Sequence, residues 1–573
     1  MLTNAAHQQP ATVAMPAVVG ERFNAAAWLV DRMAAEHPRR TAVTVAAGSA
    51  FGSAGASAGA SAEDGCDVSY GELAGQVTAA AAALVASGVR AEERVLLCMA
   101  DGLELMSLFL GALRIGAVPV PVSTMLTAGD LSVLALDSRA RLLAVTPDTT
   151  ALAVAAAGSS PYLRDVVVVG DPLPLPPSLR VRAWSEFLAA AGQAATEAVA
   201  TPELTVTDSP GFWLYTSGTT GTPKGAMHRH GSLRDTAQTY AREVLAIRPD
   251  DVCYSVAKLF FAYGLGNSLT FPFSVGARTV LDPARPTPAG AAEILTRYRP
   301  TLFFGVPTFY AALLAAEIPA EAFASVRLCL SAGEPLPAAL YARFTRRYGV
   351  ELLDGIGSTE ALHIFLSNRP GRVRPGTTGE PVAGYALRIE DDEGAEVADG
   401  EPGHLYVRGE SAAMGYWCRA EITRRVFRGP WLRTGDTYVR SPDGYYTYLG
   451  RSDDIIKAGG IWVSPAEVEG RLLEHPGVAA VAVVSVLDAD GLEKPVACVV
   501  PVAGAAVSED VLVEYCRSGL AAFKRPRRVL LLDALPMTAT GKVRRFKVRE
   551  HAIAVLAGES SRTPAGTATP ASS

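Results

Sequence analysis

Short apolar runs alternate with helix-like stretches from about residue 71 to residue 379. The runs predict buried strands over residues 94–99, 118–122, 142–146, 166–169, 301–304 and 327–330. The stretches between them have alanine-rich or amphipathic patterns that predict helices, as over residues 338–347. Strands that alternate with helices form parallel sheets covered by helices, and such sheets bind ligands beyond the carboxyl ends of their strands.

The pattern changes after residue 379. Residues 386–390, 404–408 and 444–449 are short alternating runs between Gly, Asp and Pro turns, which predict a smaller antiparallel β unit. A last block begins near residue 449, with helices predicted over 465–473 and 509–520 and strands over 478–487, 496–502 and 529–532. A block of roughly 110 residues is long enough for an α+β domain of its own.

Composition narrows the choice of partners. The chain has 573 residues and a net charge of −6, so it has no general attraction for nucleic acid or for an anionic membrane surface. Its seven cysteines are scattered, with no CxxC pair, which fits a reduced, cytoplasmic environment. Residues 1–20 do not have the pattern of a secretory signal, and the longer apolar runs are interrupted, so no membrane span is predicted.

Residues 215–225 (YTSGTTGTPKG) follow a predicted strand and combine three glycines, four threonines, a serine and Lys224. Glycines let backbone N–H groups turn toward an anion, hydroxyls add donors, and Lys224 supplies a positive charge, so this loop is suited to polyphosphate. It is not the ordinary P-loop pattern, because Gly225 follows Lys224. The alternative is a flexible surface loop.

Four further motifs are polar: 331–337 (SAGEPLP) and 354–360 (DGIGSTE) each follow a strand, 433–436 (RTGD) lies in the β unit, and 536–545 (PMTATGKVRR) lies near the end of the chain. Each is weak alone, because an acidic residue at a strand end is more often a turn or a helix cap than a ligand. His228 and His230 suggest a metal pair, but two histidines without a third ligand are weak evidence for zinc.

In this order and spacing, these motifs and residues 449–457 (LGRSDDIIK) resemble the adenylate-forming superfamily of acyl- and aryl-CoA ligases, luciferases and peptide adenylation domains. The resemblance extends from about residue 22 to residue 550. Residues 258–276 (KLFFAYGLGNSLTFPFSVG) and 355–368 (GIGSTEALHIFLSN) are similar to the benzoate-CoA ligase branch.

The resemblance implies an α/β fold with a large N-terminal domain, built from two parallel αβ subdomains and a β-barrel-like subdomain, and a small mobile α+β C-terminal domain. The expected boundaries are a disordered terminus over 1–21, the AMP-binding domain over 22–450, a hinge over 451–453, the C-terminal domain over 454–557 and a disordered tail over 558–573. Asp453 is the expected hinge residue.

The implied reaction has two steps: a carboxylate attacks the α-phosphorus of ATP, and the thiol of coenzyme A then attacks the acyl adenylate. Lys542 is the expected catalytic residue, and Glu360 is expected to hold Mg²⁺. The residues expected to bind ATP or AMP are Thr216, Ser217, Gly218, Thr219, Thr220, Lys224, Gly333, Glu334, Pro335, Asp354, Thr359, Asp436, Tyr448 and Arg451. For Tyr448, a place in the core of a strand remains an equal alternative.

The substrate is expected to be a small aromatic carboxylic acid. By resemblance, its pocket consists of Ala262, Tyr263, Gly357, His363 and Ile364. Small residues leave room for a ring between larger walls. His363 either bonds a ring substituent or is structural. Ala361 replaces a residue that is commonly methionine in this branch, which puts strict specificity for unsubstituted benzoate in doubt.

The thioester step is expected to use Lys457, Gly459, Gly460 and Trp462. Two other functions remain open at this point: an enzyme that loads the aryl group onto a carrier protein, and a nucleotide-binding protein without catalysis. The oligomeric state expected from the resemblance is either a monomer or a homodimer.

Overall fold

The computed structural model describes residues 20–46, 65–171, 177–217, 223–452, 454, 456–458, 461–488, 493–537 and 543–560. The Gly/Ala/Ser tract at residues 48–59, the hinge residue Asp453 and the expected catalytic residue Lys542 lie outside these ranges. The tail predicted from residue 558 overlaps the end of the last described helix, Arg545–Ser560, and its remainder is also outside.

The largest sheet has nine strands. In spatial order they are Glu380–Pro381, Ile364–Ser367, Leu352–Gly357, Leu328–Ser331, Leu302–Gly305, Val252–Ser255, Arg278–Leu281, Thr41–Val45 and Cys66–Ser69. The strands from Leu352–Gly357 to Thr41–Val45 are parallel, and the pairings at both edges are antiparallel.

A second sheet is parallel throughout. Its five strands, in spatial order, are Val118–Pro121, Arg94–Cys98, Leu142–Val145, Asp165–Val168 and Arg180–Ala183. A separate antiparallel pair, Pro210–Ser217 with Pro223–Arg229, carries the glycine-rich loop. The loop therefore connects two strands of a hairpin, whereas a P-loop connects a strand to a helix.

The antiparallel unit predicted after residue 379 is a five-stranded sheet. Its strands are Ala386–Glu390, Pro402–Arg408, Phe427–Arg428, Trp431–Arg440 and Tyr446–Arg451. The last block has a hairpin, Ile456–Ala458 with Ile461–Val463, and a three-stranded sheet of Val478–Leu487, Glu493–Pro501 and Arg528–Leu531.

Helices cover the sheets. The α-helices are Arg32–Glu36, Tyr70–Ala86, Leu103–Arg114, Ala128–Ser138, Thr150–Ala157, Trp184–Ala189, Gln193–Ala198, His230–Thr236, Ala262–Leu265, Phe271–Val275, Pro288–Tyr298, Pro307–Ala315, Ala338–Tyr348, Ala420–Val426, Pro465–Leu473, Glu509–Arg517 and Arg545–Ser560. Local sequence explains the start of some of them: at the helix Tyr70–Ala86, Ser69 and Glu72 form a capping box. Wider turns of π-helix occur at Ala27–Asp31, Ala237–Ala241 and Gly266–Thr270, and short 3₁₀ turns at Pro147–Thr149, Ala320–Phe323 and Ala522–Lys524.

The predicted α/β architecture is confirmed, with small shifts of element ends. The helix predicted over residues 509–520 ends at Arg517, and the strand predicted over 166–169 is Asp165–Val168. The strands that were not predicted include Cys66–Ser69, Arg180–Ala183, Val252–Ser255 and Arg278–Leu281. Within the described ranges, no helix has the length and apolarity needed to cross a membrane.

Candidate active site

The glycine-rich loop joins two strands that pair up to its edge. Thr216 lies opposite Lys224, and Ser217 lies opposite Pro223. Residues 218–222 lie outside the described part of the chain, so the predictions for Gly218, Thr219 and Thr220 are not tested. The hairpin register nevertheless places Lys224 beside the start of the loop.

Lys224 belongs to a cluster with Glu360 and Tyr416. The ammonium of Lys224 lies 5.1 Å from the centroid of the Tyr416 ring, and the Tyr416 hydroxyl donates a 2.6 Å hydrogen bond to Oε1 of Glu360. Burial lowers the pKa of Lys224, and the carboxylate of Glu360 opposes that shift. The cluster thus combines a cation with an oriented carboxylate at the edge of the glycine loop.

Sequence reasoning did not identify Tyr416. Its signal is weak: an aromatic pair, Tyr416 and Trp417, after Gly415 in a short loop. The loop runs beside the second strand of the glycine-loop hairpin, where Ala226 forms a bridge with Tyr416 and the Trp417 N–H donates to the Gly225 carbonyl. This pairing brings the phenol to Glu360.

The residues predicted for the adenosine lie at two sheet ends. Ser331, the last residue of its strand, pairs with Asp354 of the neighbouring strand, so the segment from Gly333 to Pro335 begins close to Asp354. Asp354 is buried, and no described group hydrogen-bonds its Oδ1. Burial raises the pKa of Asp354 well above its ordinary value.

Asp436 and Arg451 face each other on adjacent antiparallel strands. A guanidinium nitrogen of Arg451 donates a 2.9 Å hydrogen bond to Oδ1 of Asp436. The charge of Asp436 raises the pKa of Arg451. Tyr448 stands on the strand of Arg451 and meets the Tyr438 ring edge-on at 5.5 Å.

Three of the predicted aryl-pocket residues, Tyr263, Gly357 and Ile364, lie next to His363. The rings of Tyr263 and Phe271 lie 5.5 Å and 4.5 Å from the imidazole, and Gly357 pairs with Ile364 across two strands. A Cβ atom at Gly357 would lie 2.4 Å from the carbonyl oxygen of His363, so this close approach requires glycine. Ala262 adjoins Tyr263 in the short helix Ala262–Leu265.

The imidazole of His363 has one partner and one free edge among the described residues. Its Nε2 lies 3.2 Å from Oδ1 of Asn267, so it donates, and its buried Nδ1 has no described hydrogen-bond partner. Burial lowers the pKa of His363 to about 3, so the ring is neutral near pH 7. Asn267 and Phe271 were not singled out from the sequence. Ala361 is buried in the core of the antiparallel unit.

His228 and His230 do not share a ligand. Nε2 of His228 faces the carbonyl oxygen of Thr359 at 2.8 Å, whereas Nδ1 of His230 accepts from the Ala25 N–H at 3.1 Å. The described residues contain no group of three or more His, Cys, Asp or Glu side chains that could hold a metal ion. The geometry therefore gives no support to a zinc pair there.

The predicted thioester residues belong to the hairpin after the hinge. Lys457 and Trp462 pair across it, and Gly459 and Gly460, at its turn, lie outside the described residues. Asp454, beside the hinge position, forms ion pairs with Arg545 at 3.7 Å and Arg549 at 3.6 Å. The last helix is thereby tied to the start of the last block.

Comparison with known proteins identifies the family of the chain. The family described as "AMP-binding enzyme" matches residues 30–417, and "AMP-binding enzyme C-terminal domain" matches residues 467–542. The chain is 45% identical to a benzoate-CoA ligase of Thauera aromatica over 85% of its own length and 91% of that protein. It is 43% identical to a 4-hydroxybenzoate-CoA/benzoate-CoA ligase of Rhodopseudomonas palustris, over 84% of its own length and 89% of that protein.

A solved structure gives the same result. The crystal structure of a benzoate CoA ligase from Burkholderia xenovorans LB400 matches with a TM-score of 0.81 and 42% identity, over 92% of this chain and 100% of that one. The match extends over both the large domain and the last block. The chain belongs to the AMP-binding enzyme family.

Proposed function

We propose that this protein is an ATP-dependent ligase that converts benzoate or a substituted benzoate to its aryl adenylate and then to aryl-CoA, with release of pyrophosphate and AMP. The observation that carries the proposal is one strand pair. Gly357 and Ile364, which would line the aryl slot, pair across two strands, and Glu360 of the phosphate cluster lies in the loop between them. Relatives named benzoate-CoA ligase support the aryl acid as substrate.

In the first step, a carboxylate oxygen forms a bond to the α-phosphorus of ATP while the bond to pyrophosphate breaks. Carboxylate and triphosphate are both anions, so the site must neutralise charge before they approach. Lys224 and the hydroxyls from Thr216 to Thr220 would hold the β- and γ-phosphates, and Lys542 would contact the carboxylate and the α-phosphate. Thr359 would lie beside the α-phosphate.

Glu360 fits a Mg²⁺ site shared with the nucleotide. Mg²⁺ keeps several waters and binds one or two carboxylates together with substrate phosphates, so a single glutamate suffices. When bound, the ion would neutralise phosphate charge during adenylation. The Tyr416 hydroxyl orients Glu360 by its 2.6 Å hydrogen bond.

The nucleoside would be held at the two sheet ends. Asp436 would accept hydrogen bonds from the ribose hydroxyls, and Arg451 would donate to the same sugar. Gly333, Glu334, Pro335 and Asp354 would line the adenine. Tyr448 would pack nearby.

In the second step, the thiol sulfur of coenzyme A forms a bond to the adenylate carbonyl, AMP leaves, and the thiol proton is released. Rotation at Asp453 would withdraw Lys542 and bring the hairpin of Lys457 and Trp462 to the site. Gly459 and Gly460 would leave room for the pantetheine arm.

The aryl slot predicts the substrate class. Besides Asn267, which bonds the imidazole of His363, the neighbours of this ring are the aromatic rings of Tyr240, Tyr263 and Phe271, and Ile364 belongs to the same hydrophobic cluster. A flat ring fits such walls better than a flexible chain, because less rotational freedom is lost on binding. The substrate carboxylate would face the phosphate cluster, since none of these wall residues is a cation.

Pyrophosphate release, measured with benzoate, its hydroxy, amino and halo derivatives, cinnamate and short fatty acids, tests the proposal. We expect benzoates to react fastest, and fatty acids as the best substrates would refute the aryl slot. AMP release measured with coenzyme A or with a carrier protein as the thiol then identifies the acceptor. We expect coenzyme A, and release with the carrier protein alone would replace CoA ligation by carrier loading.

A further inference from the structure

His228 connects the glycine-loop hairpin to the loop that carries Glu360. Its side chain is fully buried, and Nε2 lies 2.8 Å from the carbonyl oxygen of Thr359. A carbonyl oxygen can only accept, so the proton is on Nε2. The ring stacks on Phe212 of the partner strand, with centroids 5.1 Å apart and planes 15° from parallel. Stacking and hydrogen bond together fix the orientation of the imidazole.

The loop after Gly357 is held at successive carbonyls. The Thr359 carbonyl accepts from His228, the Glu360 carbonyl accepts from the Ala413 N–H at 2.7 Å, and the Ala361 carbonyl accepts from the Ser411 hydroxyl at 2.7 Å. Two of these donors come from the 411–413 segment, and His228 comes from the glycine-loop hairpin. The loop is therefore attached to two neighbouring segments.

Those two segments are also bonded to each other. Met227, next to His228, donates from its N–H to the Gly415 carbonyl at 3.0 Å and accepts from the Met414 N–H at 2.8 Å. The same segment leads to Tyr416, whose hydroxyl bonds Glu360. The backbone segments that carry Lys224, Glu360 and Tyr416 are therefore hydrogen-bonded to one another.

The loop needs such anchors. Leu362 has a φ of 68°, a left-handed conformation that costs free energy for a residue with a branched side chain and persists only where the surroundings impose it. Of the three bonds from neighbouring segments to the carbonyls of residues 359–361, one is made by a side chain of the described hairpin residues, and that side chain is His228. Without that bond, the Thr359 carbonyl would keep the 3.2 Å bond from the Leu362 N–H of its own loop, and the direct link from the Thr359 carbonyl to the hairpin that carries Lys224 would be lost.

We propose that His228 is a positioning residue for adenylation: its Nε2–H holds the Thr359 carbonyl and so fixes Thr359 and Glu360 relative to the strand that carries Lys224. This inference rests on the proposed function, because it assumes that the distance between Lys224 and the loop of Thr359 and Glu360 aligns the triphosphate. A displacement of about 1 Å at a reacting group can cost on the order of a hundredfold in rate. His228 itself contacts neither nucleotide nor acid in this scheme.

The test compares His228→Phe, which keeps a ring against Phe212 but has no donor, with His228→Gln, whose amide nitrogen can still donate. We expect His228→Phe to slow single-turnover aryl adenylate formation by about tenfold to a hundredfold, to raise the Mg²⁺ concentration for half-maximal rate, and to leave AMP affinity near wild type. His228→Gln should recover most of the rate. Equal impairment of both variants would show that ring packing, not donation, matters, and would overturn the proposal.

Amide hydrogen exchange gives a readout that does not depend on catalysis. In His228→Phe, a peptide covering residues 358–363 should exchange faster than in wild type, and in His228→Gln it should stay protected. Unchanged exchange in His228→Phe would also overturn the proposal. If that variant does not fold, His228→Asn, whose amide is too short to reach the carbonyl, takes its place.

His230→Phe is the matched control. It removes a buried imidazole from the start of the helix that follows the same hairpin, but His230 bonds Ala25 and not the Glu360 loop. We expect it to lower stability without changing the Mg²⁺ response. An equal change of Mg²⁺ response would count against His228. A failure of the proposed function can be told apart from a failure of this inference. In the first case, wild type itself would form no aryl adenylate, and the hydrogen-exchange comparison would still show whether His228 restrains the loop.

Discussion

The hydroxyl of Tyr416 and Oε1 of Glu360 are joined by a 2.6 Å hydrogen bond. An ionised carboxylate only accepts, so the phenol donates. The same phenol ring faces the ammonium of Lys224 at 5.1 Å. One side chain therefore contacts both the cation and the carboxylate that we assign to the triphosphate, although neither is near it in sequence.

Tyr416→Phe should separate these two contacts, because phenylalanine keeps the ring under Lys224 and loses the bond to Glu360. Hydrogen bonds to charged groups contribute about 1.5–3 kcal/mol, so we expect adenylation to slow by about tenfold or more. The acid's apparent affinity should stay near wild type. Pre-steady-state pyrophosphate release over a range of acid concentrations measures both quantities.

Tyr445→Phe is the control for this substitution. Tyr445 also donates through its hydroxyl, to the Arg372 carbonyl at 3.2 Å, but at an exposed position. It should behave as wild type in adenylation. If Tyr416→Phe does so too, Tyr416 has no part in holding Glu360.

The element types could be predicted from the sequence because apolar runs and turn residues are local signals. The strand Arg180–Ala183 was missed because arginines alternate with its apolar residues. In the structure, Arg180 and Arg182 point to Asp165 of the neighbouring buried strand, with ion pairs of 2.8 Å and 2.9 Å. Such pairing depends on a strand elsewhere in the chain and leaves no local pattern.

The candidate site also contains residues with a local sequence signal and residues whose role depends on distant contacts. Lys224, Glu360 and Asp436 lie in motifs whose composition and order could be read directly, whereas Tyr416 and His228 act through partners far along the chain. The contact of His228 is with Thr359, 131 residues away. The local sequence signal is a His-Arg-His triplet, which suggests a metal-binding pair more readily than a side chain that positions a distant loop.

Lys542→Ala should divide the two half-reactions. An ion pair at about 4 Å is worth ~4 kcal/mol at an effective dielectric constant near ~20, so its loss should slow adenylation by on the order of a hundredfold or more. Thioester formation from a preformed aryl adenylate and coenzyme A should remain near wild type, because the proposed domain rotation would withdraw Lys542 from the site in that step. Quenched-flow assays of each half-reaction measure the division.

Lys547→Ala provides the comparison in the same domain. Lys547 forms a surface ion pair with Glu550 at 2.8 Å, and such pairs contribute little. We expect both half-reactions to be unchanged. Equal loss of both half-reactions in Lys542→Ala would contradict the assigned role of Lys542.

Gly266→Ala should disturb the aryl slot through His363. A Cβ atom at Gly266 would lie 2.3 Å from Cδ2 of His363, so the imidazole must move. We expect the KM for benzoate to rise by roughly tenfold, since overpacking of a tight core costs about 1–3 kcal/mol, while AMP affinity is retained. Calorimetry with AMP and steady-state kinetics with benzoate test the two halves of this prediction.

Gly75→Ala is the matched substitution away from the site, because nothing lies within 4 Å of its Cβ position in the helix Tyr70–Ala86. It should stabilise the helix by about 0.5–1 kcal/mol without affecting benzoate. A Gly266→Ala enzyme with the benzoate KM of wild type would show that His363 does not line the acid pocket.

Glu104 connects stability to pH. It lies in the first turn of the helix Leu103–Arg114, is buried, and has its pKa raised by that burial to about 7. In the unfolded chain it ionises near pH 4.5. Between these values, the folded protein retains a proton that the unfolded chain has released. The contribution of Glu104 to stability therefore falls as pH rises through this window and is constant above about pH 7.

Glu104→Gln should remove this penalty because glutamine is neutral and nearly isosteric. We expect the free energy of unfolding to rise by up to about 3 kcal/mol at pH 8 and to change little near pH 4.5, measured by urea denaturation at both pH values. Glu72→Gln should act in the opposite direction but more weakly: glutamine can still accept in the capping box with Ser69, so only the negative charge at the helix N-terminus is lost, which costs about 0.3–1 kcal/mol at pH 8. A gain from Glu104→Gln that is equal at both pH values would mean that improved packing, and not the buried charge, is responsible.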